Sequence, residues 1–496
     1  MVASDAPTLA DLYNHPASNN GQDLIFYTPS MPNYAEITEY WNHFPNQPKL
    51  LAMLRPRTEA AVQAAVGYLV EHGIPLGVRG RGHAPCGQGR ADDGGVVIDM
   101  RAMDSVSLAA DDSNADDDGS PYRAAIVGGG ITVGNIGRSL HTQGLVTPTA
   151  WASTVGYTGW ALGGGSGFLS AKYGMGVDNI LGARLVTWDG KVVDTDIDDG
   201  GSELLWALRG AGNGNLGVIT ELRVKAHPVS GFLAGVIGFS LADTKEVNQK
   251  LCEVIKSTPG DLPDALVGDQ MVLYALDTEP IFIFHFAWTI DGDEGRRQGE
   301  KWLQTVRSLG DVKLDTVEDV PLHEFHDWIA AAEPSGNYYM PTRNTRGALL
   351  ADPIADIVAR SPPPNPSSSV VIHYTRGKAA MPNPDCIFAA REDHTTVIMG
   401  AGTPAGTDAN DPEMHRAMSW ADQVLRDIDS TGLVIDNTYA HFEDPERIDI
   451  VQKYGPENAK RLQKVKEQYD PHNVFYRGYP RFPDMGAEAG DGPNKV

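Results

Sequence analysis

Residues 78–89 read VRGRGHAPCGQG, with glycines at 80, 82, 87 and 89 and a single histidine, His83. What surrounds this run limits the fold more than anything else in the chain. Upstream, TEAAVQAAVGYLVEHG (58–73) has a threonine cap, apolar residues at helical spacing and a terminal glycine. The strand-like PLGVRG then leads into the glycine loop, and GVVIDM follows as another strand. The pattern predicts the start of a β-α-β unit with a glycine loop at the carboxyl end of a strand. Glycine gives up more conformational freedom on folding than any other residue, so such a cluster means that the backbone lies close to something. Two readings are open from these residues. One is a tight surface turn with an incidental histidine, the other a backbone cradle whose ligand His83 touches.

A chain of 496 residues exceeds what one hydrophobic core supports, so two or three domains are expected. The formal charge of −25 argues against nucleic acid and anionic membrane as partners. No apolar run is long enough to span a bilayer. The start, MVASDAPTLADLYNHP, has neither the basic end nor the apolar core of a secretory signal. Cys86, Cys252 and Cys386 show no metal or disulfide spacing. A reduced, cytoplasmic setting is the expectation, with no metal. Oligomeric state is not specified beyond monomer or weak dimer.

Further along, DDSNADDDGS (111–120) fails as an EF-hand, because its twelfth position is Ala125 and not glutamate. It reads as a solvated loop. ARLVTWDGKVV reads as a hairpin around Asp189 and Gly190, and SELLWALR as a helix. In GAGNGNLGVITELRV, Gly212, Gly214 and Gly217 satisfy G-x-G-x-x-G, but a helix precedes and a strand follows, the reverse of the dinucleotide fingerprint. From 231 to 437 long β runs alternate with amphipathic helices, predicting a sheet with helices on one face. SPPPNPSSS (361–369) reads as a loop within that region, and 485–496 as a disordered tail.

Four motifs, in order, resemble the FAD-linked oxidases of the vanillyl-alcohol oxidase and p-cresol methylhydroxylase superfamily, in particular its berberine-bridge-enzyme-like branch. They are RGRGH (79–83), STVGYTGWALGGGSGFLSAKYG (153–174), ELLWALRGAGNGNLGVITELRV (203–224) and YDPHNVF (469–475). The resemblance implies an α+β fold. A two-part FAD-binding domain would span 1–230 and 438–484, with a substrate domain, an antiparallel sheet covered by helices, at 231–437. It implies that the cofactor pyrophosphate rests on backbone N–H groups where side chains are missing. The matching positions are Arg79, Gly80, Arg81 and Gly82; Ala152, Ser153, Thr154, Val155, Gly156, Thr158, Gly159 and Trp160; Gly163 and Gly164; Gly217, Val218 and Ile219; and Asn473.

His83 matches the histidine that in this family is bonded covalently to the flavin; the alternative is a histidine that only hydrogen-bonds it. Ala152 stands where bicovalent members carry a cysteine, so attachment through His83 alone is implied, with Cys86 structural. Trp160 stands where many members have a histidine. Tyr439-Ala440-His441 replaces the commoner Tyr-x-Asn. On a strand, Tyr439 and His441 would share one face. Either the two act together as proton acceptor, or His441 fills the asparagine's structural place. His373 and Arg391 on expected strands, with Tyr338 and Tyr339, are further pocket candidates, each also compatible with simple packing. Small Val155 implies open access for dioxygen beside the flavin. The implied activity is an oxidase that takes a proton and a hydride from a small secondary-metabolite alcohol or activated C–H and makes hydrogen peroxide. A redox-neutral isomerase or cyclase on the same scaffold is the alternative.

Overall fold

The computed structural model describes residues 9–43, 48–110, 114–116, 118–197, 202–257, 262–276, 279–408, 410–436 and 439–482. The expected tail lies outside them. Three sheets organise the molecule. The first contains Leu24–Tyr27, Ala52–Pro56, Val96–Asp99 and Leu76–Arg79 in that spatial order. Both pairings of Val96–Asp99 are parallel, so the chain must cross over, and the helix Glu59–Glu71 makes the crossing. Thr58 caps that helix by accepting Ala61 N–H at 3.2 Å. Val62, Ala65, Val66 and Leu69 bury one face against the sheet. The sequence expectation for this unit holds, and it puts the 80–89 loop at the carboxyl end of Leu76–Arg79.

The second sheet is antiparallel and seven-stranded, with the long strand Val218–Pro228 between Ile180–Val186 and Pro121–Gly128. The hairpin at Asp189–Gly190 forms as expected, with Gly190 at φ +73°. The acidic insertion is not simply a solvated loop. Asn114–Ala115 pairs with Pro121–Gly128, Asp116 binds Lys225, and Asp118 reaches Lys378 at 2.6 Å. Asp111, Asp112, Ser113 and Asp117 lie outside the described residues.

The third sheet has ten strands, all antiparallel, drawn from Gly231 to Pro404. Four helices, Thr244–Ser257, Gly292–Arg307, Asp352–Ala359 and Pro412–Asp429, bury their apolar stripes on one face. The other face departs from expectation. It is covered by the helix Leu322–Ala332, through Leu322, Phe325 and Ile329, and by Val146, Ala152, Phe168 and Leu169 from the cofactor side. The sheet therefore backs directly onto the glycine-rich 152–169 region.

The C-terminal segment returns to the second sheet, where Leu462 and Val465 of the helix Pro456–Tyr469 join its core. Its last turn carries a fully buried ion pair, Lys466 Nζ to Asp470 at 2.6 Å. Lys466 also donates to Asn215 O at 2.7 Å, and Asp470 accepts the N–H groups of Val474 and Phe475. These bonds satisfy both charges, and removing either partner would strand the other at a cost of about 3–5 kcal/mol. The YDPHNVF motif thus anchors the 213–217 loop from behind.

Candidate active site

One cavity of about 250 Å³ is lined by segments from all three sheets and by the C-terminal return. At one end its wall is backbone. A Cβ built on Gly80 or Gly159 meets nothing within 4 Å, and on Gly214 its nearest neighbour is 3.8 Å away. All three line the cavity, so the missing side chains leave room for a ligand and not for packing. Thr158 Oγ1, Asn213 Oδ1 and Gln88 Oε1, on lining residues, are buried with no hydrogen-bond partner. Buried polar atoms are ordinarily satisfied, so these point to a polar ligand.

The side chains of Arg79 and Arg81 brace the loop. Arg79 donates to Thr38 O at 3.1 Å and to Glu39 O, with its guanidinium 4.2 Å over the Tyr40 ring. Arg81 Nε donates to Gly130 O at 2.5 Å. With both guanidiniums engaged this way, the backbone of 80–83 is left to face the cavity. His83 is half-buried there, its Nε2 3.2 Å from Thr154 Oγ1. Its ring stacks on Trp41 at 4.5 Å, and Trp41 stacks in turn on Tyr338 at 4.7 Å. Burial pushes His83 down to about 4, so the imidazole is neutral, the form in which a ring nitrogen is a nucleophile.

Comparison with known proteins bears directly on this geometry. An FAD binding domain matches residues 50–196, and a berberine and berberine-like family matches 438–477. The FAD-linked oxidoreductase aurO of Gibberella zeae is 35% identical over 464 residues, covering 93% of this chain and 86% of its own. The chain belongs to the berberine-bridge-enzyme-like FAD-linked oxidoreductases. (R)-6-hydroxynicotine oxidase of Paenarthrobacter nicotinovorans is 29% identical over 483 residues, 92% of this chain and 96% of its own. The crystal structure of 6-hydroxy-D-nicotine oxidase from Arthrobacter nicotinovorans matches with a TM-score of 0.75 at 25% identity, over 92% of this chain and 98% of that one. BBE-like 1 of Physcomitrella patens shares the fold, at TM-score 0.75 and 19% identity, over 95% and 98%. The open glycines and unpartnered polar atoms fit the FAD that this family binds.

The family's motif positions divide by geometry. Arg79 to His83, Ala152, Val155, Gly156, Thr158, Gly159, Trp160, Gly217 and Ile219 line the cavity. Ser153, Thr154, Gly163, Gly164, Val218 and Asn473 are not among its lining residues. Thr154 instead touches His83, which does line it. A Cβ on Gly163 would stand 2.5 Å from His441 Cε1, and one on Gly164 2.5 Å from Phe388, so these glycines permit close packing. Asn473 sits at φ +48° and donates to Phe482 O at 3.1 Å, forming a turn behind the 213–217 loop. Trp160 donates its one N–H to Ser166 O at 2.9 Å.

At the other end the wall is side chain. His441 lies on a 3₁₀ turn, Ala440–Phe442, with Tyr439 at its N-cap, and not on the expected strand. Their rings meet edge-on at 4.8 Å, and no hydrogen bond joins them among the described residues. Tyr439's hydroxyl oxygen accepts Ser166 N–H at 2.9 Å, and burial raises its pKa above the ordinary tyrosine value. The phenol is therefore protonated, with its O–H available to donate. His441 Nε2 binds Trp160 O at 2.9 Å, and burial pushes the ring down to about 4. His373, on Ser369–Thr375, lines the cavity 4.4 Å from Trp151, ring to ring, and is pushed down to about 3 by burial and by His285.

Arg391 lies outside the strands and outside the cavity lining. It pairs with Asp178 at 2.8 Å, tying the 386–391 segment to the 175–179 turn. Tyr339 donates to Asp422 at 3.0 Å, so it too serves packing. Burial pushes the Cys86 thiol up to about 12, which keeps it un-ionised, as a structural cysteine would be. Sequence reasoning missed Trp41, Asn213, Met340 and Glu333, all of which line the cavity. Trp41, Met340 and Glu333 sit in none of the four motifs. Asn213 lies within the third, 203–224, and within the decoy G-x-G-x-x-G, but the resemblance gives it no role.

Proposed function

We propose that this oxidoreductase is an oxidase that carries FAD on a single covalent bond from His83 and acts on a small secondary-metabolite alcohol or activated C–H. The observation that carries the reading is the neutral His83 ring, held between Trp41 and Thr154 beside open glycines in the cavity's backbone-lined end. Bound FAD supplies a two-electron acceptor that dioxygen reoxidises with release of hydrogen peroxide. Gly80, Gly159 and Gly214 give backbone approach to the cofactor, while Thr158 and Asn213 offer it polar atoms. Ala152, buried and without a thiol, offers no second anchor.

Tyr439 keeps its proton and donates a hydrogen bond from its hydroxyl to a substrate oxygen or nitrogen, its own oxygen fixed by Ser166 N–H. Oxidation of a carbinol or an activated C–H next to an O–H or N–H removes a hydride, which carries the electron pair, and one further proton. The unprotonated nitrogen of His373, on the cavity wall, is the acceptor for that proton. His441 acts as a positioning residue, holding Trp160 and the 160–166 turn. Val155, small and on the cavity wall, leaves a path for dioxygen.

A panel of candidate alcohols and amines, scored by flavin bleaching without oxygen, tests this reading. A hit should consume dioxygen and yield peroxide in equal amounts in air. Sustained product formation under nitrogen, with no oxygen consumed in air, would overturn it in favour of redox-neutral chemistry.

A further inference from the structure

Glu333 contributes the one carboxyl group among the residues that line the cavity. It follows the helix Leu322–Ala332, where its main-chain oxygen accepts Trp41 Nε1–H at 3.1 Å. That bond fixes its backbone and leaves the carboxyl group uncommitted. Among the described residues no hydrogen bond or ion pair reaches it. The residue is partly exposed, as expected of a side chain facing a cavity. Burial with no cation beside it pushes the carboxyl up to about 7.

The ionisable groups around the same space do not neutralise it. Tyr338, on the neighbouring strand Gly336–Tyr339, is pushed up to about 12 by burial and by Glu333 itself, so it stays a phenol. His83, stacked on Trp41, and His373 and His441 elsewhere on the wall are neutral, and the charged Arg79 and Arg81 bind main-chain oxygens and make no hydrogen bond or ion pair with Glu333. A buried carboxylate without a partner is costly, and a ligand cation would relieve that cost. Trp41, Trp151, Met340 and Phe442 give the same cavity an aromatic and apolar wall, suited to the body of an organic cation. The chain's charge of −25 attracts cations as well.

We propose that Glu333 is a specificity-determining residue that receives a protonated nitrogen carried on an aromatic or apolar substrate. The inference rests on the oxidase reading only in taking this cavity as the substrate site. Calorimetry on the flavin-containing protein, without turnover, compares benzylammonium with benzyl alcohol. At pH 8 the cation should bind about 10- to 100-fold tighter, the range of a charge-assisted hydrogen bond. The preference should shrink as pH falls through about 7. It should collapse in Glu333→Gln and keep its sign in Glu333→Asp.

Equal affinities for the two probes, or a preference that survives Glu333→Gln, overturn the proposal. If the glutamine variant does not fold, a cation preference that is unchanged between pH 6 and pH 8 overturns it as well. Peroxide formed on some substrate by a protein that binds both probes alike sinks this inference alone. A Glu333-dependent cation preference in a protein that makes no peroxide sinks the oxidase reading alone.

Discussion

Around Gly80, Gly159 and Gly214 the cavity wall is backbone, whereas around Trp151, His373 and Tyr439 it is side chain. The first end gains its chemistry from what is missing, since only a glycine lets main-chain N–H groups approach an anion closely. The second gains it from bulky, titratable groups held neutral by burial. A backbone-built end suits a ligand that never changes, and a side-chain-built end can be altered residue by residue without disturbing the first. The difference explains how one family fold can keep its cofactor while its members differ in substrate.

The sharpest way to break this contrast is at His83, where the largest effect is expected. Acid precipitation of the native protein should leave the flavin in the pellet, and His83→Ala should release all of it while FAD still binds. Flavin set free from the native protein would remove the covalent bond from the account. At the same backbone-built end, a second test is Gly159→Leu. It should fold at least as well as the native chain, because the site is open and leucine favours the helix Tyr157–Leu162 by up to about 1 kcal/mol. It should nonetheless lose FAD affinity by roughly 10- to 100-fold, the effect of overpacking by 1–3 kcal/mol. Gly164→Leu should do the reverse and destabilise the fold, since Phe388 occupies its space. Equal FAD loss in both variants, at equal stability, would erase the distinction between cradle and packing glycines.

At the side-chain end, Tyr439→Phe keeps the ring and removes the donor. Flavin reduction measured by stopped flow without oxygen should slow by about 10²- to 10⁴-fold with flavin content intact. His441→Asn should leave the pH dependence of that step unshifted, because His441 is bound to Trp160 O. A shifted profile would restore it to the proton path.

How much could be read beforehand follows the same division. The β-α-β start and the hairpin at Asp189 depend on contiguous residues, and their signals are local. The fate of Asn473 was not legible, because a motif position can serve a ligand or brace the loop that does, and only the Lys466–Asp470–Asn215 contacts decide. Tyr439 and His441 fit a strand by spacing, yet the last bond of that kind among the described residues before them is Ile435 N–H to Asn344 O, and Ala440–Phe442 forms a 3₁₀ turn. Glu333 carried no signal at all, since Trp41, 292 residues earlier, reaches it only through the tertiary fold.

The smallest expected effect concerns stability. His227, His285 and His326 are core histidines that burial pushes down from 6.5 to about 4, 4 and 3. Their folded forms bind fewer protons than the unfolded chain, so their contribution is full above about pH 6.5 and is lost as pH falls toward 4. Asp269, pushed up to about 8 by burial, has the opposite sign and weakens the fold as pH rises toward that value. The melting temperature should drop between pH 6.5 and pH 4.5, and His326→Gln should flatten the drop slightly. A drop of equal steepness in that variant would assign the acid sensitivity to other groups.

The order in which the cavity's parts are synthesised has a consequence of its own. Tyr439 comes 273 residues after Ser166, whose N–H it accepts, and Lys466 comes 251 residues after the loop that it holds in place. At about 5–20 residues per second, roughly 10–60 s separate translation of the glycine cradle from translation of the segment that closes it. A growing chain therefore exposes the cradle long before it can enclose anything, and cofactor capture belongs to the end of synthesis or after release. Cells starved of riboflavin should accordingly accumulate a full-length chain competent to take up flavin later.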